Sequence, residues 1–220
     1  TNLKLILKTM YLSQITLNPR SRQVQSELTR PYEMHRTLMK AFPDNLLRGP
    51  ASDDAVAERV LFRLEVSTEH GLARVLVQSF LQPDWSALKP DYAVQIEGPK
   101  PFAPQFVLGQ CLAFRLRANP TVKQNGKRHG LRDEEAQRQW LMRKANEGGF
   151  AVLQVRISNE RKLNDSICRS ADHKHELNLL SVQFDGELVV QTPDQFGKTL
   201  ANGIGSAKGM GFGLLSLARL

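Results

Sequence analysis

From Met10 to Asn18 the sequence MYLSQITLN alternates apolar and polar positions as a strand does, and Asn18-Pro19 ends it. Pro31 suits the first turn of a helix that runs to about Phe42, where Pro43 stops it. Phe62, Leu64 and Val66 alternate with Arg63 and Glu65, the pattern of a half-buried strand. His70-Gly71 marks a turn into a second such run, Val75 to Leu81. Pro83-Asp84 opens a short helical stretch around Trp85 to Leu88, and Tyr92 to Ile96 read as a last strand. The order β-α-β-β-α-β is the ferredoxin-like pattern.

Residues 98–104, GPKPFAP, carry three prolines in seven positions and read as a linker. Beyond it the order repeats. Leu112, Phe114 and Leu116 alternate with Ala113, Arg115 and Arg117. Asp133 to Asn146 is helical, with Ala136, Trp140, Leu141 and Ala145 as its apolar stripe, and Gly148-Gly149 ends it. Leu153, Val155 and Ile157 form the next strand. Leu177 to Phe184 is the third, turned by Asp185-Gly186 into Leu188 to Val190. Thr192 can cap a helix that starts at Pro193, and a final strand follows a glycine-rich loop. The expectation is an α+β protein of two tandem ferredoxin-like (RRM-like) βαββαβ domains, 10–97 and 105–220.

Composition changes this picture only through charge. The 220 residues hold 30 Lys and Arg against 22 acids, a net charge of +8. Residues 1–100 contribute +2 and residues 101–220 contribute +6. Between Glu97 and Asp133 there is no acid, yet Lys100, Arg115, Arg117, Lys123, Lys127, Arg128 and Arg132 lie there. A long acid-free basic stretch is the footprint of a polyphosphate partner, although a solvated basic face would look the same. Cys111 and Cys168 stand 57 positions apart with no CxxC, which argues against a disulfide framework or a zinc ribbon and fits a reducing cytoplasm. No apolar run approaches the ~20 residues of a membrane span. The opening TNLKLILKT lacks a secretory cleavage pattern, and Met10 is the expected start.

Two segments offer chemistry. In PYEMHRTLMKAF, Met34, Leu38, Ala41 and Phe42 gather on one helix side, while Tyr32, Arg36 and Lys40 lie a turn apart on the opposite side. His35 stands between Tyr32 and the apolar edge. An imidazole can move a proton, and Arg36 or Lys40 can neutralise a phosphorane, so this kit suits RNA cleavage without metal. On spacing alone it equally describes a basic solvent face with a half-buried histidine. The second segment, GIGSAKGMGFGLLS, puts Gly203, Gly205, Gly209, Gly211 and Gly213 around Lys208, a loop that lets backbone N–H groups approach phosphates. Its spacing is neither a Walker loop nor a dinucleotide fingerprint, so no nucleotide cofactor is expected. Among the other histidines, His173 and His175 can share a strand face but lack a third ligand, so no metal site is expected.

The segments MYLSQITLNPRSR, PYEMHRTLMKAFPD, VLVQSFLQPDWS, FRLRANP and GMGFGLLS, in order and spacing, resemble the CRISPR-associated repeat-processing endoribonucleases of type I-E systems, the CasE or Cse-type family. The resemblance runs from Met10 to the C terminus. It implies a pair of ferredoxin-like domains of the RAMP type and cutting of the CRISPR precursor RNA at the base of its repeat hairpin. It further implies metal-free attack of the 2′-OH, leaving a 2′,3′-cyclic phosphate and a 5′-OH. The family's catalytic tyrosine and histidine fall on Tyr32 and His35. Basic side chains of both domains are implied to grip the hairpin. Arg115, Arg117, Lys127, Arg128, Arg156 and Lys208, with Gly209 and Gly211, are the residues expected against RNA. The product is implied to stay bound and to join the other Cascade subunits. The free protein is expected to be a cytoplasmic monomer without cofactor or membrane contact. The region 158–176 carries the resemblance poorly.

Two rival readings make different demands. A non-catalytic RNA-binding subunit of a CRISPR ribonucleoprotein would keep the basic groove and the glycine loop but would need no histidine beside a tyrosine. A metal-dependent nuclease should show clustered carboxylates, and Asp53-Asp54, in a loop without a histidine partner, does not supply them.

Overall fold

A computed structural model of the chain describes residues 9–43, 59–66, 72–170 and 173–220, apart from the side chains of Lys127 and residues 159–178. The expected turn at His70-Gly71 and the Asp53-Asp54 loop lie outside the described residues. The chain divides into two compact units. One ends at Ala103 and also holds Gly209–Gly211; the other comprises Pro104–Lys208 and Phe212–Leu220.

The first unit is a four-stranded antiparallel sheet with helices on one face. Its strands are β1 (Met10–Leu17), β2 (Leu61–Val66), β3 (Ala73–Ser79) and β4 (Ala93–Phe102), in the order β2-β3-β1-β4. That order and its antiparallel pairing are those of a ferredoxin-like sheet. Helices α1 (Arg22–Glu27) and α2 (Pro31–Met39) join β1 to the next strand. Met34, Leu38, Ala41 and Phe42 are buried against Ile15, Phe62, Val75 and Val77, so the expected apolar stripe is the core face. The helical element before β4 is a single 3-10 turn, Trp85–Ala87, opened by Asp84, whose carboxylate accepts from the Ser86 N–H.

Two sequence expectations need correction here, and one element had no signal in the sequence. Residues 98–102 are not a linker but the second half of β4, paired to β1 through Lys100, Pro101 and Phe102. Prolines are tolerated there because β4 is the sheet edge, where an N–H need not be donated to a neighbour. Helix α1 was not legible as an element. Helix α2 ends at Met39, because the chain tightens into i→i+3 bonds (Lys40 N–H to Thr37, Ala41 to Leu38, Phe42 to Met39) before Pro43.

The second unit repeats the topology. Strands β5 (Cys111–Ala118), β8 (Phe150–Ser170), β9 (His173–Val190) and β10 (Leu215–Ala218) form an antiparallel sheet in the order β10-β5-β9-β8. Helix α3 (Glu134–Glu147) begins at Asp133, which accepts from the Ala136 N–H at 2.9 Å, and packs Trp140, Leu141 and Ala145 into the core. Helix α4 (Pro193–Asn202) follows Thr192, which makes no side-chain cap, and buries Phe196 and Leu200. A hairpin of β6 (Thr121–Gln124) and β7 (Lys127–Gly130), absent from the sequence reading, precedes α3.

Asp185-Gly186 is not a turn. Both residues lie inside β9, between β5 and β8. The glycine answers to close approach: a Cβ at 186 would collide with the Gln154 carbonyl oxygen, where β8 shifts register between Val152 and Gln154.

Candidate active site

Helix α2 is set in place by a buried polar hub. The Glu27 carboxylate accepts from the Tyr92 hydroxyl (2.7 Å), the Thr37 hydroxyl (2.7 Å) and the Gln23 amide (2.8 Å). The Gln23 amide also reaches Thr37 Oγ1 at 2.9 Å. One carboxylate thereby ties α1, α2 and the residue before β4 together, and burial with the neighbouring Glu27 pushes the Tyr92 phenol well above its usual pKa. Pro31 occupies the first turn of α2, with Glu33 near its N terminus and Arg36 in its last turn, the charge arrangement the helix dipole favours.

On this fixed helix His35 is half-buried. Its ring stacks on Phe62 of β2, with centroids 6.0 Å apart and planes 9° from parallel. The backbone of Gly209 closes on its Cδ2–Nε2 edge: a Cβ there would stand 3.5 Å from both atoms. Nδ1 is sealed from solvent and has no hydrogen-bond partner. Burial lowers the imidazole pKa from its ordinary 6.5, so the neutral form prevails near pH 7. Tyr32, partly buried, lies one turn earlier on the same helix. Arg36 is solvent-exposed and pairs with Glu33 at 3.2 Å; Lys40, also exposed, follows the last residue of the helix. A neutral imidazole, a phenol and two cations therefore share one short helix and its C-cap, a set able to take a proton and to stabilise negative charge.

The cationic residues expected against RNA are distributed more widely. The strand register aligns Arg115, Asp185 and Arg156 across β5, β9 and β8. Arg115 Nε donates to Asp185 at 2.6 Å, Arg156 stands 3.9 Å from the same carboxylate, and the Gln183 amide donates to it at 2.7 Å. The acid-free stretch thus meets an acid from a distant strand. Arg117 is half-buried on β5. Arg128 is exposed on the β6–β7 hairpin, opposite Lys123, and Lys127 lies on the same strand. Lys208 begins a 3-10 turn, Lys208–Met210. Gly209 and Gly211, expected against RNA backbone, lie against His35 and Phe62 respectively. The sequence shows Phe62 only as a strand position, Asp185 only as a turn residue and Glu27 not at all, because each acts through a partner distant along the chain.

Among the described residues no group of three His, Cys, Asp or Glu side chains is arranged to hold a metal ion, and no helix is long and apolar enough to cross a membrane.

A family model described as "CRISPR associated protein" matches residues 10–219. The CRISPR-associated endoribonuclease Cse3 of Thermus thermophilus is 41% identical over 95% of this chain and 100% of its own length. The CRISPR system Cascade subunit CasE of Escherichia coli is 31% identical over 96% of this chain and 100% of its own. Among solved structures, CRISPR endoribonuclease Cse3 bound to a 19-nucleotide RNA superposes with a TM-score of 0.84 at 38% identity, covering 95% of this chain and 100% of that one.

Proposed function

The chain belongs to the CRISPR-associated proteins of the Cse3/CasE type, and on that premise we propose that it is a metal-independent endoribonuclease that cuts CRISPR precursor RNA at the base of the repeat hairpin. The observation that carries this reading is the half-buried, neutral His35 one turn from Tyr32 on a helix fixed by the Glu27 hub. The neutral imidazole takes the proton of the ribose 2′-OH as its oxygen attacks the adjacent phosphorus. The bond to the 5′-oxygen breaks, and that oxygen leaves with a proton from water. The products are a 2′,3′-cyclic phosphate and a 5′-OH, and the imidazolium returns its proton to solvent. Tyr32 donates a hydrogen bond to the phosphorane, and Arg36 and Lys40 balance its charge.

Arg115, Arg117, Lys127, Arg128, Arg156 and Lys208 grip hairpin phosphates, and the cut RNA remains bound for assembly with the other Cascade subunits. The relatives' descriptions as an RNA-bound endoribonuclease and a Cascade subunit support both halves of this reading. The test is cleavage of the cognate repeat RNA in excess EDTA. A single cut leaving a 2′,3′-cyclic end is expected. Binding without any cut, with or without added magnesium, would favour the non-catalytic RNA-binding subunit. A cut only with magnesium would place the chemistry in another class.

A further inference from the structure

A histidine that exchanges protons is ordinarily oriented by an acceptor on its second ring nitrogen, a carboxylate or a carbonyl that fixes tautomer and plane. His35 has no such acceptor. Its Nδ1 is buried without a partner. Something else must hold the ring.

Two surfaces touch it. The Phe62 ring lies parallel to the imidazole within 9°, and the Gly209 backbone closes against its Cδ2–Nε2 edge. Gly211 in turn closes against Phe62. At a φ of +80°, which strains any side chain, and with a Cβ there 3.1 Å from Phe62 Cε2, this position favours glycine and a substitution would press on the Phe62 ring. The turn Gly209–Gly211 belongs to the same compact unit as α2 and β2, so the socket is built within one body. It treats the two nitrogens differently. Nδ1 is sealed from solvent, whereas Nε2 faces a residue that has no side chain to cover it, so Nε2 is the nitrogen open to a substrate; to accept a proton there, the neutral ring carries its own proton on Nδ1.

We infer that Phe62 and the Gly209–Gly211 turn are the positioning residues of His35, orienting the imidazole by packing in place of a hydrogen-bonded acceptor, and that Nε2 is the nitrogen that exchanges the proton with RNA. This rests on the reading of His35 as the general base. The elements against the ring carry Glu33 and Arg36 on α2, Lys40 just after it, and Arg63 and Glu65 at β2 positions that alternate with Phe62; the lowered pKa of His35 has burial as its cause. The part of the glycine motif that the sequence assigned to phosphate contact is thereby also a packing device for the imidazole.

The experiment is a ¹⁵N-histidine NMR titration of the full-length protein, free and bound to a repeat hairpin with 2′-deoxyribose at the cut site. His35→Ala supplies the assignment. In Phe62→Leu the ring loses its stacking plane, so the His35 midpoint should rise toward 6.5. Single-turnover cleavage should fall on the order of tenfold or more from misorientation, with deoxy-hairpin affinity unchanged. Gly209→Ala places a Cβ at 3.5 Å, an ordinary contact, over Nε2. Its midpoint should fall further, and single-turnover cleavage of the bound hairpin should drop whatever its affinity. On adding deoxy-hairpin to the unmutated protein, the Nε2 resonance should move more than that of Nδ1. Unchanged midpoints in folded variants, or a larger response at Nδ1, would overturn the inference. If Phe62→Leu unfolds, Gly209→Ala and the ring-nitrogen comparison still decide it. Wild-type cleavage by His35→Ala would instead sink the catalytic reading, with the titration still reporting on the socket.

Discussion

The Tyr92 hydroxyl donates a 2.7 Å hydrogen bond to Glu27 Oε2 across 65 positions of sequence, joining the residue before β4 to the last residue of α1. Thr37 of α2 holds the other carboxylate oxygen at 2.7 Å. Removing one donor from such a hub costs less than removing the acceptor, because the acceptor's loss leaves several buried donors unsatisfied. Tyr92→Phe should therefore lower stability by about 1 kcal/mol and Glu27→Ala by roughly 2–3 kcal/mol. Urea denaturation of the two variants checks the order. Equal losses would mean that the hub is held by packing around Tyr92.

Gly211 sits at φ +80°, in the left-handed region, and faces Phe62. Gly211→Ala should cost about 1–2 kcal/mol from backbone conformation alone. Gly209, which lacks a positive φ and has van der Waals room for a Cβ, should accept Ala with little change in melting temperature. Thermal melts of both variants separate the structural glycine from the permissive one.

Asp185 binds Arg115 at 2.6 Å and lies 3.9 Å from Arg156, muting the charge that the sequence concentrates there. Asp185→Asn keeps the shape and removes the competing anion. Hairpin affinity should rise, and its dependence on log salt should steepen by about one unit. Arg115→Glu should weaken binding and flatten the slope. Binding measured at two salt concentrations tests both, and an unchanged slope in Asp185→Asn would take Arg115 and Arg156 out of the RNA interface.

The elements legible in the sequence are those whose signals are local. Met10–Leu17 alternates, Asp133 caps α3 through its own side chain, and Pro31 opens α2. What was misread depends on neighbours distant in sequence. Pro99 and Pro101 look like a linker until β4 is known to be an edge strand, and Asp185-Gly186 looks like a turn until β8 bulges against it. The His35 helix was visible as a cluster of chemical groups. Its supports were not, because Phe62 announces only a core strand and Gly209 only a flexible loop.

Burial depresses the His35 pKa below its unfolded value of about 6.5. The folded state therefore binds fewer protons than the unfolded state in the window below pH 6.5. The stability linked to this group is fully present above that pH and is lost as pH falls through the folded pKa. Replacing His35 by Gln, which does not titrate, should remove that part of the acid slope. Denaturation of both proteins between about pH 7.5 and 5 gives the difference, and parallel curves would mean that the imidazole is not desolvated.

The same neutral imidazole sets the expectations for chemistry. As general base His35 must be unprotonated in the free enzyme, so the acid limb of kcat/KM should have its midpoint below 6.5. His35→Ala should keep tight hairpin binding yet lose ~10²–10⁴-fold in cleavage, the usual cost of a missing acid–base group. Tyr32→Phe should lose less, because it gives up one hydrogen bond to the phosphorane while proton transfer continues. A hairpin with 2′-deoxyribose at the cut site should bind normally and resist cleavage, since the 2′-oxygen is the nucleophile. These results are linked. If the deoxy substrate were cut at the normal rate, the attacking oxygen would come from water, and His35 would no longer have a 2′-proton to remove. A strong His35→Ala defect beside an intact deoxy reaction would then assign the imidazole to activating that water.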